Sequence, residues 1–204
     1  MKKGFLITFE GSEGSGKSTQ IELLRQYLVK KRKKVMYVRE PGGVLISEKI
    51  RAILLDAANK KMGSECETLL YMAARAQLVR EVILPALHKG YIILCDRYMD
   101  STVAYQGYGN GINIDDIYQI GEFATAGISP DLTFVFDIDA KKGLARIKRQ
   151  KDRIEQRKLD YHNRVRAGYL AIAKREPLRV KLLDANRTKE DLQEEIQKIV
   201  INKI

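Results

Sequence analysis

The sequence predicts an α/β fold in which a five-stranded parallel sheet carries helices on both faces. Three observations predict it. Short apolar runs alternate with longer segments whose apolar residues recur at helical spacing. The runs are near-continuous in apolar residues rather than alternating, as strands buried on both faces require. A glycine-rich turn joins the first run to the first helical segment.

The elements follow in order. Residues 4–10 read as a strand that ends at Glu10. The glycine-rich turn opens a helix over 17–31, with Ile21, Leu24 and Leu28 on one face. A second strand covers 35–39, and after Pro41-Gly42 a helix covers 43–55. A long helix over 65–87 is expected to distort near Pro85, whose ring removes a helical hydrogen bond. Residues 91–95 form a third, strongly apolar strand. A helix over 114–126 stops at Gly127, and 132–136 is the fourth strand. Basic helical sequence follows over 141–149, then a helix over 161–174. A fifth strand over 180–183 and a helix over 189–200 complete the order. Sheets of this kind bind ligands beyond the carboxyl ends of their strands.

The 204 residues fit a single domain, 1–204. No stretch approaches the ~20 apolar residues of a membrane span. The basic start, residues 1–3, and the apolar run after it resemble a signal peptide only superficially. The run is too short and Glu10 ends it. The expectation is a cytoplasmic protein with no membrane partner. Cys66 and Cys95 form no C-x-x-C pair, and with His88 and His162 they are too few for a dedicated metal centre. The net charge of +11 favours anionic partners, either nucleic acid or phosphorylated small molecules. The run Lys30-Lys31-Arg32-Lys33-Lys34 sits at the predicted end of the first helix, where cations oppose the helix dipole.

Gly11-Ser12-Glu13-Gly14-Ser15-Gly16-Lys17-Ser18 fits G-x-x-x-x-G-K-[ST], after a strand and at the opening of a helix. Successive backbone N–H groups there make an anion nest, and the helix N-terminus adds positive dipole. Lys17 reaches the β- and γ-phosphates of a nucleotide, and the Ser18 hydroxyl is a ligand for Mg²⁺. With Thr19, these residues are the candidate ATP site. A guanine-reading N-K-x-D segment is missing: Asn59-Lys60-Lys61-Met62 lacks the Asp and lies too early. This argues against a GTPase and for an ATP user.

A kinase must neutralise charge on donor and acceptor together, because phosphoryl transfer is mostly positioning and electrostatics. Arginines near strand ends therefore matter. Arg39-Glu40 ends the second strand, Asp96-Arg97-Tyr98 ends the third, and Arg51 and Arg75 lie on neighbouring helices. Arginine suits the task because its planar fork binds phosphate bidentately. Two charges directly after Ile92-Ile93-Leu94-Cys95 point to a site. Asp96 is the candidate to orient Mg²⁺ through water.

Arg39-Glu40-Pro41-Gly42-Gly43, Asp96-Arg97-Tyr98, Ala104-Tyr105-Gln106-Gly107 and Asp152-Arg153-Ile154-Glu155 resemble the signature segments of bacterial thymidylate kinases. They stand in that family's order and spacing, and the resemblance covers essentially the whole chain. It implies a P-loop kinase-type three-layer fold. It implies that Arg97 holds a monophosphate, aided by Arg51 and Arg75, and that Glu40 sits near the reacting phosphates and metal. Tyr71 is expected to stack on thymine, and Thr102 or Ser101 with Gln106 to hydrogen-bond its edge. Tyr105 is expected against the sugar C2′, and Glu13 toward the 3′-hydroxyl.

Between 141 and 158 stand nine basic residues and two acids, Asp152 and Glu155. The segment follows the fourth strand and reads as a basic lid over the donor phosphates, closing to exclude water. The phosphate loop carries no arginine, and in the resembled family such chains supply the catalytic arginine from the lid. Arg153 is the first candidate, and Arg149 and Arg146 the others.

The resemblance implies the reaction ATP + dTMP → ADP + dTDP with Mg²⁺, serving dTTP synthesis, in a homodimer. A kinase of another monophosphate or of a deoxynucleoside would lack the combination of Tyr71, Thr102 and Gln106. A nucleic-acid-dependent ATPase fits the charge, but no aromatic-basic interleaving supports a strand-binding groove, so no nucleic-acid partner is expected. Adenine is expected near residues 184–187, after the last strand.

Overall fold

The computed structural model describes residues 4–204, so the basic start at 1–3 lies outside it. Five strands form one parallel sheet: β1 Phe5–Gly11, β2 Val35–Arg39, β3 Ile92–Asp96, β4 Leu132–Asp137 and β5 Val180–Asp184. Their order across the sheet is β2-β3-β1-β4-β5. The central strand β1 thus has β3 on one side and β4 on the other. The connections leaving the carboxyl ends of these neighbours diverge there, and the crevice between them is the binding edge of an open sheet. In register, Phe9 and Arg39 both stand level with Asp96, so the ends of β1, β2 and β3 meet at that edge.

Side-chain alternation divides the core. Ile7 and Phe9 of β1 face one side with Phe134 and Phe136, against Leu24 and Leu28 of α1 (Lys17–Lys30) and Ile196 of α9 (Lys189–Ile201). The Phe9 and Phe134 rings lie 5.6 Å apart between centroids. Each such ring or leucine is fully buried, and truncating one, as in Leu24→Ala, costs about 2–5 kcal/mol. Leu6 and Ile93 face the other side, against α3 (Ser64–Leu78) and α4 (Leu84–His88), and Val135 faces α8 (Leu159–Arg175). α2 (Leu45–Leu55) and α6 (Ile114–Thr125) pack on α3.

The expected distortion near Pro85 takes the form of a π-helical turn at Val79–Ile83. There the Leu84 amide reaches back five residues to the Val79 carbonyl. Proline cannot donate to the carbonyl four residues before it, and the wider turn makes room for its ring. The sequence reading placed no element between 95 and 114. The structure has a short helix, α5 (Met99–Thr102), running into a second π-helical segment at Val103–Gly109. Its small residues admit α8: a Cβ on Gly109 would lie 2.6 Å from the Tyr161 ring.

The basic stretch over 141–149 is not one helix. α7 covers only Ala140–Ala145, capped by the Asp139 carboxylate, which accepts from the Lys142 amide at 3.0 Å. The rest of the lid, 146–158, is irregular. Asp152 organises it, its carboxylate accepting from the amides of Ile154 and Glu155, both at 2.9 Å.

Candidate active site

The phosphate loop leaves β1 and wraps the first turn of α1. Gly14 adopts φ 68° and packs against α7 so closely that a Cβ would lie 2.2 Å from the Gly143 oxygen. Only glycine fits both the conformation and the approach. Lys17 is folded over the loop, donating to the carbonyls of Gly11 (3.0 Å) and Ser12 (2.9 Å) and to Ser15 Oγ (3.3 Å). Burial and the nearby Arg97 push its ammonium down to about 8. Its charge is thus poorly compensated, which suits it to receive phosphate.

Ser18 Oγ donates to Asp96 Oδ2 at 3.3 Å. One hydroxyl and one carboxylate, with no third protein ligand required, match the way Mg²⁺ is held between a protein and substrate phosphates. The pair fits that ion. No cluster of three or more His, Cys, Asp or Glu suited to a metal exists among the described residues.

Beside the loop opens a cleft of about 700 Å³, counting the open solvent at its mouth. The expected acceptor residues Glu13, Glu40, Arg51, Tyr71, Arg75, Arg97, Ser101, Thr102, Tyr105 and Gln106 all line it. Arg97 stands at its floor with φ 72°, a left-handed conformation that costs a non-glycine residue about 1 kcal/mol. Its guanidinium donates to Glu13 Oε1 (3.1 Å), Ser101 Oγ (3.2 Å) and Tyr169 OH (3.2 Å), and lies 5.0 Å over the Tyr105 ring. Tyr105 OH also donates to Glu13 Oε1, at 2.5 Å. Burial works against the Glu13 charge. Arg97, Lys17 and Tyr105 outweigh it and hold the carboxyl below its usual range. Its second oxygen, Oε2, is buried without a hydrogen-bond partner, 3.8 Å from His162 Nδ1. Burial keeps that imidazole's pKa below the ordinary value.

Arg75 is buried and pairs with Glu40 at 2.7 Å, while also donating to the Tyr98 carbonyl at 3.0 Å. Burial pushes the Glu40 carboxyl up in spite of Arg75, and Glu40 Oε1 has no partner. Arg51 donates to the Pro41 carbonyl at 2.8 Å. Arg39 turns instead to Glu48 at 2.9 Å and does not line the cleft.

Of the two hydroxyls proposed for the base edge, that of Ser101 is engaged inward. It donates to Glu10 Oε2 at 2.5 Å and meets Tyr169 OH at 2.8 Å. Thr102 remains toward the cleft. Glu10 was read only as the end of a strand. It is fully buried, accepts from the Tyr98 amide at 2.7 Å, and so braces the turn that carries Arg97. Its signal was visible: an acid closing an apolar run immediately before the phosphate loop.

The three lid arginines point to different places. Arg153, the first candidate for the catalytic arginine, does not line the cleft. It is buried, donating from Nε to the Leu54 carbonyl at 2.8 Å and facing Glu67 at 2.6 Å. The acid it meets on α3, not the charge of the run, decides where it points. Arg149 does line the cleft, with its exposed guanidinium paired to Glu155 at 2.7 Å. Arg146 reaches over the phosphate loop to the Gly14 carbonyl at 3.1 Å. Residues 184–187 run from the last residue of β5 at the same edge of the sheet, where the Ala185 amide donates to the Asp137 carbonyl at 2.9 Å.

A family model described as thymidylate kinase matches residues 9–196. A thymidylate kinase of Kosmotoga olearia is 46% identical over 194 residues, covering 94% of this chain and 93% of that one. One of Bacillus cereus is 44% identical over 206 residues, covering 99% of each. The crystal structure of thymidylate kinase from Ehrlichia chaffeensis matches with a TM-score of 0.80 at 34% identity, over 97% of this chain and 98% of that one. With a phosphate loop, a half-buried arginine at a strand end and a cleft beside them, the chain belongs to the thymidylate kinase family.

Proposed function

We propose that the chain transfers the γ-phosphoryl group of ATP to dTMP, giving ADP and dTDP for dTTP synthesis, with Mg²⁺ required. The observation that carries this reading is the placement of Arg97 and Lys17. Both reach the carboxyl edge of β1, one from the acceptor cleft and one from the donor loop. Two anionic phosphates meeting there would each find a cation. Arg97, with Arg51 and Arg75 nearby, holds the acceptor phosphate, and the loop from Gly11 to Thr19 holds the donor. Tyr71 supplies an aromatic face, and Thr102 and Gln106 supply neutral donors and acceptors for the base. Tyr105 crowds the sugar C2′, and the free Oε2 of Glu13 takes the 3′-hydroxyl.

Ser18 and Asp96 are the residues that would hold Mg²⁺, which would supply charge neutralisation on the donor phosphates. The acceptor is already an anion and needs no strong base. Glu40 stays beside the reacting groups to orient them. Arg149 is the lid residue best placed to offset charge developing on the transferred group, and Arg146 covers the loop. Arg153 instead fastens the lid to α2 and α3.

The chain acts as one domain, in the cytoplasm and without nucleic acid, as a homodimer. Leu45, Ile46 and Ile53 on α2, Leu69 on α3 and Phe123 on α6 are exposed, Phe123 at 88%, and the three helices lie side by side. Such an apolar face supports self-association. No helix among the described residues is long and apolar enough to cross a membrane.

The test is ADP formation with ATP and Mg²⁺ against dTMP, dUMP, dCMP, UMP, AMP and GMP. Strong turnover of dTMP, weaker of dUMP and little of the rest is expected. Preference for another monophosphate overturns the acceptor assignment. ATP hydrolysis indifferent to all of them overturns the kinase reading.

A further inference from the structure

Behind the cleft lies a carboxylate that the sequence patterning did not single out. Glu67, on the first turn of α3, is fully buried. Four side chains converge on it. Its Oε1 accepts from Gln106 Nε2 at 3.0 Å and from Asn110 Nδ2 at 2.9 Å. Its Oε2 lies 2.6 Å from a guanidinium nitrogen of Arg157 and 2.6 Å from one of Arg153. Gln106, Asn110 and Arg157 donate hydrogen bonds to it, and Arg153 faces it as an ion-pair partner.

Gln106 has two chemically different ends. Glu67 takes the NH₂ end. The carbonyl end, Oε1, accepts no hydrogen bond among the described residues, and the side chain lines the cleft. Exchanging the ends would set a carbonyl oxygen against the carboxylate, two acceptors with no proton between them. An amide without such a neighbour turns freely about its last torsion and serves either kind of base edge.

We propose that Glu67 is a positioning residue that sets base choice. It fixes the Gln106 amide with its acceptor toward the cleft. The site then takes a base whose ring nitrogen carries a proton, as thymine and uracil do. It rejects one whose ring nitrogen carries a lone pair there, as cytosine does. The same carboxylate fastens the lid through Arg153 and Arg157, so base reader and lid share one anchor. The inference rests on the dTMP reading above.

The test compares kcat/KM for dTMP and dCMP in the natural chain, Glu67→Gln, Gln106→Ala and the double variant. A neutral amide at position 67 accommodates either end of Gln106. Glu67→Gln is therefore expected to narrow the dTMP-to-dCMP ratio by about tenfold or more. General loosening of the fold lowers both activities together and leaves the ratio in place. Gln106→Ala narrows the ratio as well, and adding Glu67→Gln to it changes the ratio no further. An unchanged ratio in folded Glu67→Gln overturns the proposal. Gln106→Ala keeps both arginine pairs and carries the test if Glu67→Gln does not fold; there too an unchanged ratio overturns it. Absence of dTMP-dependent ADP formation in the natural chain sinks the dTMP reading instead.

Discussion

Ser18 Oγ and Asp96 Oδ2 lie 3.3 Å apart although 78 residues separate them in the chain. The parallel pairing of β1 with β3 brings them together, since Phe9 and Asp96 are level in register. This pair is the proposed Mg²⁺ site. Asp96→Asn is expected to weaken Mg²⁺ dependence about 10- to 100-fold, with the KM for dTMP little changed. Titrating Mg²⁺ in the ADP-formation assay measures it. An unaltered titration removes Asp96 from the metal site.

Arg149 and Arg153 stand four residues apart and are expected to fail differently. Arg149→Ala lowers kcat by about 10³-fold, with dTMP affinity nearly kept, because its charge acts on the transferred group. Arg153→Ala lowers stability by about 1–3 kcal/mol, because the Leu54 carbonyl loses a buried donor and Glu67 a buried ion-pair partner. Single-turnover kinetics and thermal melting separate the two. A large kcat loss in Arg153→Ala with no change in Tm would return the catalytic role to that residue.

Glu10 gives the fold a pH signature. Burial first, then the charge of Asp100, push its carboxyl from 4.5 up to about 7. Arg97 and the bonds from Ser101 and the Tyr98 amide act in the opposite direction. Between pH 4.5 and 7 the folded chain keeps a proton that the unfolded chain has released. Stability therefore falls as pH rises through this window and levels off above it. Glu10→Gln removes the titration. Its Tm relative to the natural chain should climb from pH 4.5 to 7 and then hold steady. Parallel melting curves across the range would show that Glu10 does not titrate there.

The exposed face of α2, α3 and α6 predicts the assembly. Phe123→Asp is expected to shift the chain from dimer to monomer in sedimentation velocity. Persistence of the dimer moves the interface elsewhere, and a monomeric natural chain removes the homodimer altogether.

The strands and the phosphate loop were legible because their signals are local. An apolar run, a glycine-rich turn and a lysine within eight residues need no knowledge of the rest of the chain. Asp96-Arg97 was legible for the same reason, as charge abutting an apolar strand. Arg153 lies apart from the cleft lining, beside a buried acid, and a run of basic residues does not say which side chain finds such an acid. That acid, Glu67, is 90 residues from Arg157 and 39 from Gln106, so the cluster exists only after folding. Glu67 stands one helical turn before Tyr71 on α3, and that spacing was the available clue. The segment over 99–109 escaped because its glycines and polar residues carry no helical periodicity. Packing on α8 holds it, not propensity.

The π-helical segment at Val103–Gly109 makes chain length itself a constraint. Removing one residue there would tighten the coil and rotate everything beyond the deletion by about 100° relative to what precedes it. Asn110 would then leave Glu67, and Gly109 would no longer lie beneath Tyr161. No side-chain substitution compensates for such a rotation. A one-residue gap at this place in a related chain marks a pocket rebuilt on different contacts.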